Sequence, residues 1–106
     1  MVAGAVTGAY SGAKEVARQK ARFFDAKYSQ KVLQQMSNAE DIAHAFPQSV
    51  DGFATEYGQW STKIGADGRA YQWLEMGGSC GGKIGTFEFI KDANGVINHR
   101  YFNINK

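Results

Sequence analysis

The chain has 106 residues, 43% of them apolar and 13% aromatic, which is enough for one hydrophobic core and too little for two. That composition excludes collagen-like, disulfide-rich, disordered and membrane-spanning classes. Twelve Lys and Arg against ten Asp and Glu leave a net charge of +2, a weak basis for binding nucleic acid, and it is unevenly spread: residues 1–36 carry six basic and two acidic side chains, residues 37–106 six and eight.

The chain opens on a small, apolar run, residues 1–9, and Gly4, Gly8 and Gly12 stand four apart. The run lacks the basic opening of a signal peptide and is too short to cross a bilayer, so residues 1–12 read as a flexible tail on one domain, 1–106, cut from a longer protein. From Ala13 to Met36, the residues Ala17, Ala21, Phe24, Tyr28, Val32 and Met36 recur at steps of three or four and predict a long helix. Lys14, Arg18 and Arg22 fall on another face, either a solvated side or a phosphate-contacting stripe, and the solvated side is the simpler reading. Ser37 with Glu40 forms a capping-box pattern, which predicts a second helix through Ile42, Ala43 and His44 that Pro47 stops. A third helix follows, capped by Ser49 or Asp51, with Val50, Phe53, Ala54 and Tyr57 as its apolar face and Gly58 at its end.

Beyond Gly58 the pattern changes to strands. Gln59–Ile64 alternates, Asp67-Gly68 turns, and Arg69–Glu75 is rich in strand formers. Gly77–Gly82 reads as a flexible loop. Thr86–Ile90 and Val96–Phe102 flank Asp92-Ala93-Asn94-Gly95, the strongest hairpin signal in the chain. Helices first and an antiparallel meander second predict an α+β domain, its N-terminal helices packed on a small C-terminal sheet.

The turn decides which side chains share a face. A three-residue loop with Gly95 left-handed pairs Asp92 with Val96, Ile90 with Asn98, Glu88 with Arg100 and Thr86 with Phe102. One face then presents Thr86, Glu88, Asn98 and Arg100, a set suited to phosphate binding and proton transfer, although an ordinary solvated sheet surface is the simpler reading. In that register His99 joins Phe87, Phe89 and Tyr101 as a partly buried histidine. A two-residue Asn94-Gly95 turn sets Glu88 opposite Tyr101 and returns His99 to the polar face. His44 stands before Ala45-Phe46-Pro47 and points either into the core or across a cleft toward the sheet. Two histidines that meet would serve as base and acid in cleaving RNA through its own 2′-hydroxyl.

Cys80 is the only cysteine, so no intrachain disulfide forms, and no Cys or His cluster has zinc-site spacing. It reads as structural rather than as a nucleophile. Lys83 after the glycines lacks the Walker spacing and a following helix, which argues against a nucleotide triphosphatase but leaves a lysine able to reach a backbone phosphate. Trp60, Tyr71 and Trp73 read as core aromatics, with base stacking as the alternative.

The ordered set His44-Ala45-Phe46-Pro47, Val50–Ala54, Gly78-Ser79-Cys80-Gly81-Gly82-Lys83, Gly85–Ile90 and Asn98-His99-Arg100-Tyr101-Phe102 spans roughly residues 40–102. It resembles the C-terminal toxin domains of bacterial polymorphic toxins, which end contact-dependent growth inhibition effectors and Rhs proteins. The resemblance implies an effector, secreted or displayed on the cell surface, whose last domain enters the cytoplasm of a neighbouring cell without stable membrane insertion and is neutralised by a cognate immunity protein. Many such domains are metal-independent ribonucleases of the barnase, EndoU and RelE-like superfold. Carried over by position, His44, Glu88, His99 and Arg100 are the catalytic candidates and Lys83 and Thr86 the substrate-binding ones, with no metal and no cofactor. The histidines would be acid and base, Glu88 a proton-transfer or orienting group, and Lys83 and Arg100 would stabilise the phosphorane. The substrate would be an RNA, tRNA among the candidates. A deoxyribonuclease, a nucleotide-acting enzyme and a non-catalytic binding module are the alternatives.

Overall fold

A computed structural model describes residues 14–106, so the tail expected over residues 1–12 lies outside the described residues. Residues 14–22 are helical (α1) and run into a 3₁₀ turn, Phe23–Asp25. There follow β1 (Lys27–Tyr28), α2 (Gln30–Met36), α3 (Ser49–Tyr57), β2 (Gln59–Ile64), β3 (Ala70–Cys80), β4 (Lys83–Lys91) and β5 (Val96–Asn103). Strands β2 to β5 form an antiparallel meander, and β1 lies parallel to β5, giving the order β1-β5-β4-β3-β2. The fold is α+β, helices N-terminal and sheet C-terminal, with a parallel fifth strand that the sequence pattern did not predict.

The single long helix expected over 13–36 is broken. Ser29 takes extended backbone and its hydroxyl accepts the Val32 amide, an N-cap that starts α2 afresh, while the Ser29 amide donates to Ile97 O at 2.8 Å. The apolar period continues across this break because Phe24 and Tyr28, packed against the core, and the buried Val32 belong to separate elements. Ser37 does not begin a second helix. It ends α2, and the Asn38 side chain accepts the Glu40 amide in a local turn that competes with a capping box. Residues 38–46 consequently form turns, and Ala43 O accepts the Phe102 amide at 2.7 Å, holding this segment along β5. The third helix is present, but its buried residues are Asp51 and Ala54, with Phe53 and Tyr57 exposed.

The loop expected over Gly77–Gly82 is mostly strand. Only Gly81 and Gly82 turn, both at positive φ, and Cys80 pairs with Lys83. At the other hairpin Gly95 is left-handed (φ +77°) and Asp92 N bonds Val96 O, the three-residue loop that the sequence indicates. Lys91 accordingly pairs with Ile97. A bulge then leaves Asn98 without a partner, so Ile90 faces His99, Glu88 faces Tyr101 and Thr86 faces Asn103. Both registers considered from sequence are thus realised, one on each side of the bulge.

Alternation along the strands sends Phe87, Phe89, Leu74, Ile97 and Phe102 to one face, where Phe23, Phe46 and Ala54 complete the core. Helix α2 lies against β5 and α3 against β3. The opposite face carries Lys63, Trp73, Glu75, Thr86, Glu88, His99, Tyr101 and Asn103.

Candidate active site on the open face of the sheet

The bulge at Asn98 decides where the predicted residues go. It moves His99 to the polar face beside Glu88 and turns Arg100 into the core, reversing the faces expected from the three-residue register.

His99 Nε2 lies 3.2 Å from Glu88 Oε1. Glu88 is 5% exposed, and its second oxygen accepts from Lys106 Nζ (3.1 Å) and Asn103 Nδ2 (3.3 Å). Burial alone raises the Glu88 carboxyl, but the bonds from His99, Lys106 and Asn103 together outweigh it and hold the group below the usual glutamate range. Lys106 also bridges to Glu75, and these contacts raise its ammonium.

His44 sits beyond the β5 edge, where its Nδ1 meets Asp41 Oδ2 at 2.7 Å. Its ring lies 5.0 Å from that of Tyr101, and the His99 ring lies 5.9 Å from the same tyrosine ring. The two imidazole centroids are therefore separated by no more than the sum of those distances. Each is bound through one ring nitrogen to a carboxylate, which leaves the other nitrogen available for proton transfer. Trp73 continues the row, 6.5 Å from His99, with Lys63 Nζ 3.9 Å and Lys106 Nζ 5.5 Å from its ring centroid.

Thr86 is on this face and shares a recess of about 320 Å³ with Glu75 and Lys106. Lys83 is not. It lines an apolar hollow with Ile42, Cys80 and Phe102, five strand positions from Glu88 and of opposite parity.

Arg100 is fully buried. Its Nη2 and Nε meet Asp51 Oδ1 and Oδ2 at 2.9 and 3.3 Å, and it donates to the carbonyls of His44 (2.7 Å) and Phe46 (3.0 Å). The guanidinium lies 3.7 Å from the Phe46 ring centroid, and Tyr28 donates to the same Asp51. Arg100 thus grips from the core side the backbone of the loop whose histidine ring packs on Tyr101 from the open side. Its place is behind the site, as an anchor for His44, and no phosphate could reach its guanidinium without opening the core.

Sequence reasoning missed Asp41, Tyr101, Asn103 and Lys106. The three-residue spacing of Asp41 and His44 was a readable signal; for Lys106 there was none, since only the return of the chain past β5 brings it to Glu88. Trp73, read as core, is on the open face, whereas Trp60 packs against the core. Cys80 is half-buried at the end of β3. Among the described residues no group of three or more His, Cys, Asp or Glu is placed to hold a metal ion, and no helix is long and apolar enough to cross a membrane. No family model, curated protein or solved structure matches the chain.

Proposed function

We propose that this chain is an antibacterial toxin domain that cleaves RNA by acid–base catalysis on the open sheet face. The observation that carries the reading is the pair of carboxylate-bound histidines, His99–Glu88 and His44–Asp41, set against one tyrosine ring. A phosphodiester lying over Tyr101 would have an imidazole on each side. One imidazole takes the proton of the ribose 2′-hydroxyl as that oxygen bonds to phosphorus. The other gives a proton to the departing 5′-oxygen as the P–O bond breaks, leaving a 2′,3′-cyclic phosphate and a 5′-hydroxyl. Glu88 and Asp41 hold the rings in place. Lys106 and Lys63, in place of Lys83 and Arg100, supply the charge for the phosphorane oxygens.

The sequence resemblance to polymorphic toxin domains supports reading this chemistry as that of a delivered effector with a cognate immunity protein, acting in the cytoplasm of the target cell. The sparse positive charge fits an enzyme that relies on a few placed cations rather than a broad basic surface.

Incubating the protein with total RNA in EDTA tests the reading. Discrete cleavage is expected, falling at least about 100-fold in His99→Ala and His44→Ala variants that keep their circular dichroism spectra, in line with the usual worth of a general acid or base. Intact RNA with the unaltered protein, or undiminished cleavage by both variants, would overturn it.

A further inference from the structure

Beside His99 the open face holds a second recess of about 300 Å³ between the β2–β3 turn and the bulge of β5. It is lined by Trp73, Tyr71, Ile64, Lys63 and Asn98, and by Ile90, which pairs with His99. We infer that this recess is a nucleobase subsite, which receives the base of the nucleotide whose 2′-hydroxyl is attacked and reads its edge through Asn98. The inference rests on the ribonuclease reading and extends it to which bond is cut.

Three observations converge. Flat apolar walls of Trp and Tyr are what an unstacked RNA base is held by, and the volume is near the lower end for small-ligand pockets, suited to one ring system. Asn98 is the unpartnered residue of the bulge, and its side-chain amide makes no hydrogen bond among the described residues. An amide offers a donor and an acceptor side by side, the complement of a base edge. A bulge at this position costs ladder pairing, and its result is to aim Asn98 and His99 at the same side of the sheet.

Lys63 rests over the Trp73 ring, 3.9 Å from its centroid, and 3.8 Å from Glu75. It is half-exposed on a flexible stem, so a base stacking on Trp73 displaces it toward the adjoining phosphate. The ribose of a nucleotide held in the recess lies next to His99 rather than His44. His99 is then the base that takes the 2′-proton, His44 the acid that protonates the 5′-oxygen, and cleavage falls on the 3′ side of the recognised nucleotide.

Four oligonucleotides, each with a single ribonucleotide (A, C, G or U) in an otherwise deoxy strand, test this. The expected result is a preference of about tenfold or more in kcat/KM for one base, with the cut 3′ of the ribonucleotide. Asn98→Ala brings the four within about threefold of one another, and Asn98→Asp, which keeps the shape but replaces the amide donor, changes their order. Equal cleavage of all four by the unaltered protein, or an unchanged preference in both variants, overturns the subsite while leaving the ribonuclease reading intact. If no RNA is cleaved, titration with the four nucleoside monophosphates decides the subsite alone. Fluorescence quenching that is lost in Trp73→Phe upholds it, and no quenching by any of them overturns it.

Discussion

Replacing Arg100 separates an anchor from a catalyst. The guanidinium is enclosed by two Asp51 oxygens, two main-chain carbonyls within 3.0 Å and the Phe46 ring. Arg100→Met leaves the Asp51 carboxylate buried without its cation and frees the His44 and Phe46 carbonyls. Breaking such a pair from one side costs about 3–5 kcal/mol, a large part of the roughly 5–15 kcal/mol total typical of a domain. At about 4 °C per kcal/mol for a chain of this size, the melting temperature should fall by roughly 12–20 °C. Arg100→Lys should recover little, because an ammonium cannot match the forked geometry of Asp51. The double variant Asp51→Asn with Arg100→Met should be more stable than the sum of the single losses implies, since no lone charge remains. Urea and thermal unfolding followed by circular dichroism measure the parent, the Arg100→Met, Arg100→Lys and Asp51→Asn single variants and the double variant. An Arg100→Met variant that melts within a few degrees of the parent yet no longer cleaves RNA would refute this reasoning and return Arg100 to the chemistry.

Two pH dependences follow from the shifted groups. Glu88 is held below the usual glutamate range in the folded state, so its contribution to stability is present above about pH 4.5, the ordinary value, and is lost as pH falls through the lower folded value; Glu88→Gln should flatten the acid limb of a stability-against-pH curve and also lower cleavage. Tyr28 is shifted the other way: burial first, then the bond to Asp51, keep its hydroxyl protonated well above pH 10. Its stabilisation is complete below pH 10 and fades as pH rises beyond that, and Tyr28→Phe should shallow the alkaline limb in chemical denaturation performed between pH 8 and 11.

Much of the sheet was legible because its cues are local. The alternation of Gln59–Ile64 and Thr86–Ile90, and the Asp92–Gly95 turn with its left-handed glycine, each depend on a few adjacent residues. The helical half was harder to read. An apolar period of three or four runs on through Tyr28 and Ser29, yet Tyr28 pairs with Ile97 and Ser29 caps a new helix, both outcomes of tertiary contact. Of the candidate site, His44, Glu88, His99 and Thr86 share the open face, while Arg100 and Lys83 do not. The cause is one residue. Nothing in the Val-Ile-Asn-His-Arg run announces a bulge at Asn98, and every side chain beyond it changes face. Lys106 illustrates the other limit, a partner of Glu88 from 18 positions away that no spacing rule connects.

The chemistry of the new RNA ends is the most direct test of whether the two histidine–carboxylate pairs act together on the open face. A 2′-hydroxyl attack assisted by one imidazole and completed by the other must leave a 2′,3′-cyclic phosphate on one fragment and a 5′-hydroxyl on the next. Mass spectrometry of the fragments from a defined oligoribonucleotide should find those termini, and a 2′-deoxy substitution at the cleaved position should abolish the cut. Fragments ending in a 3′-hydroxyl and a 5′-phosphate, or cleavage that survives the 2′-deoxy substitution, would contradict it.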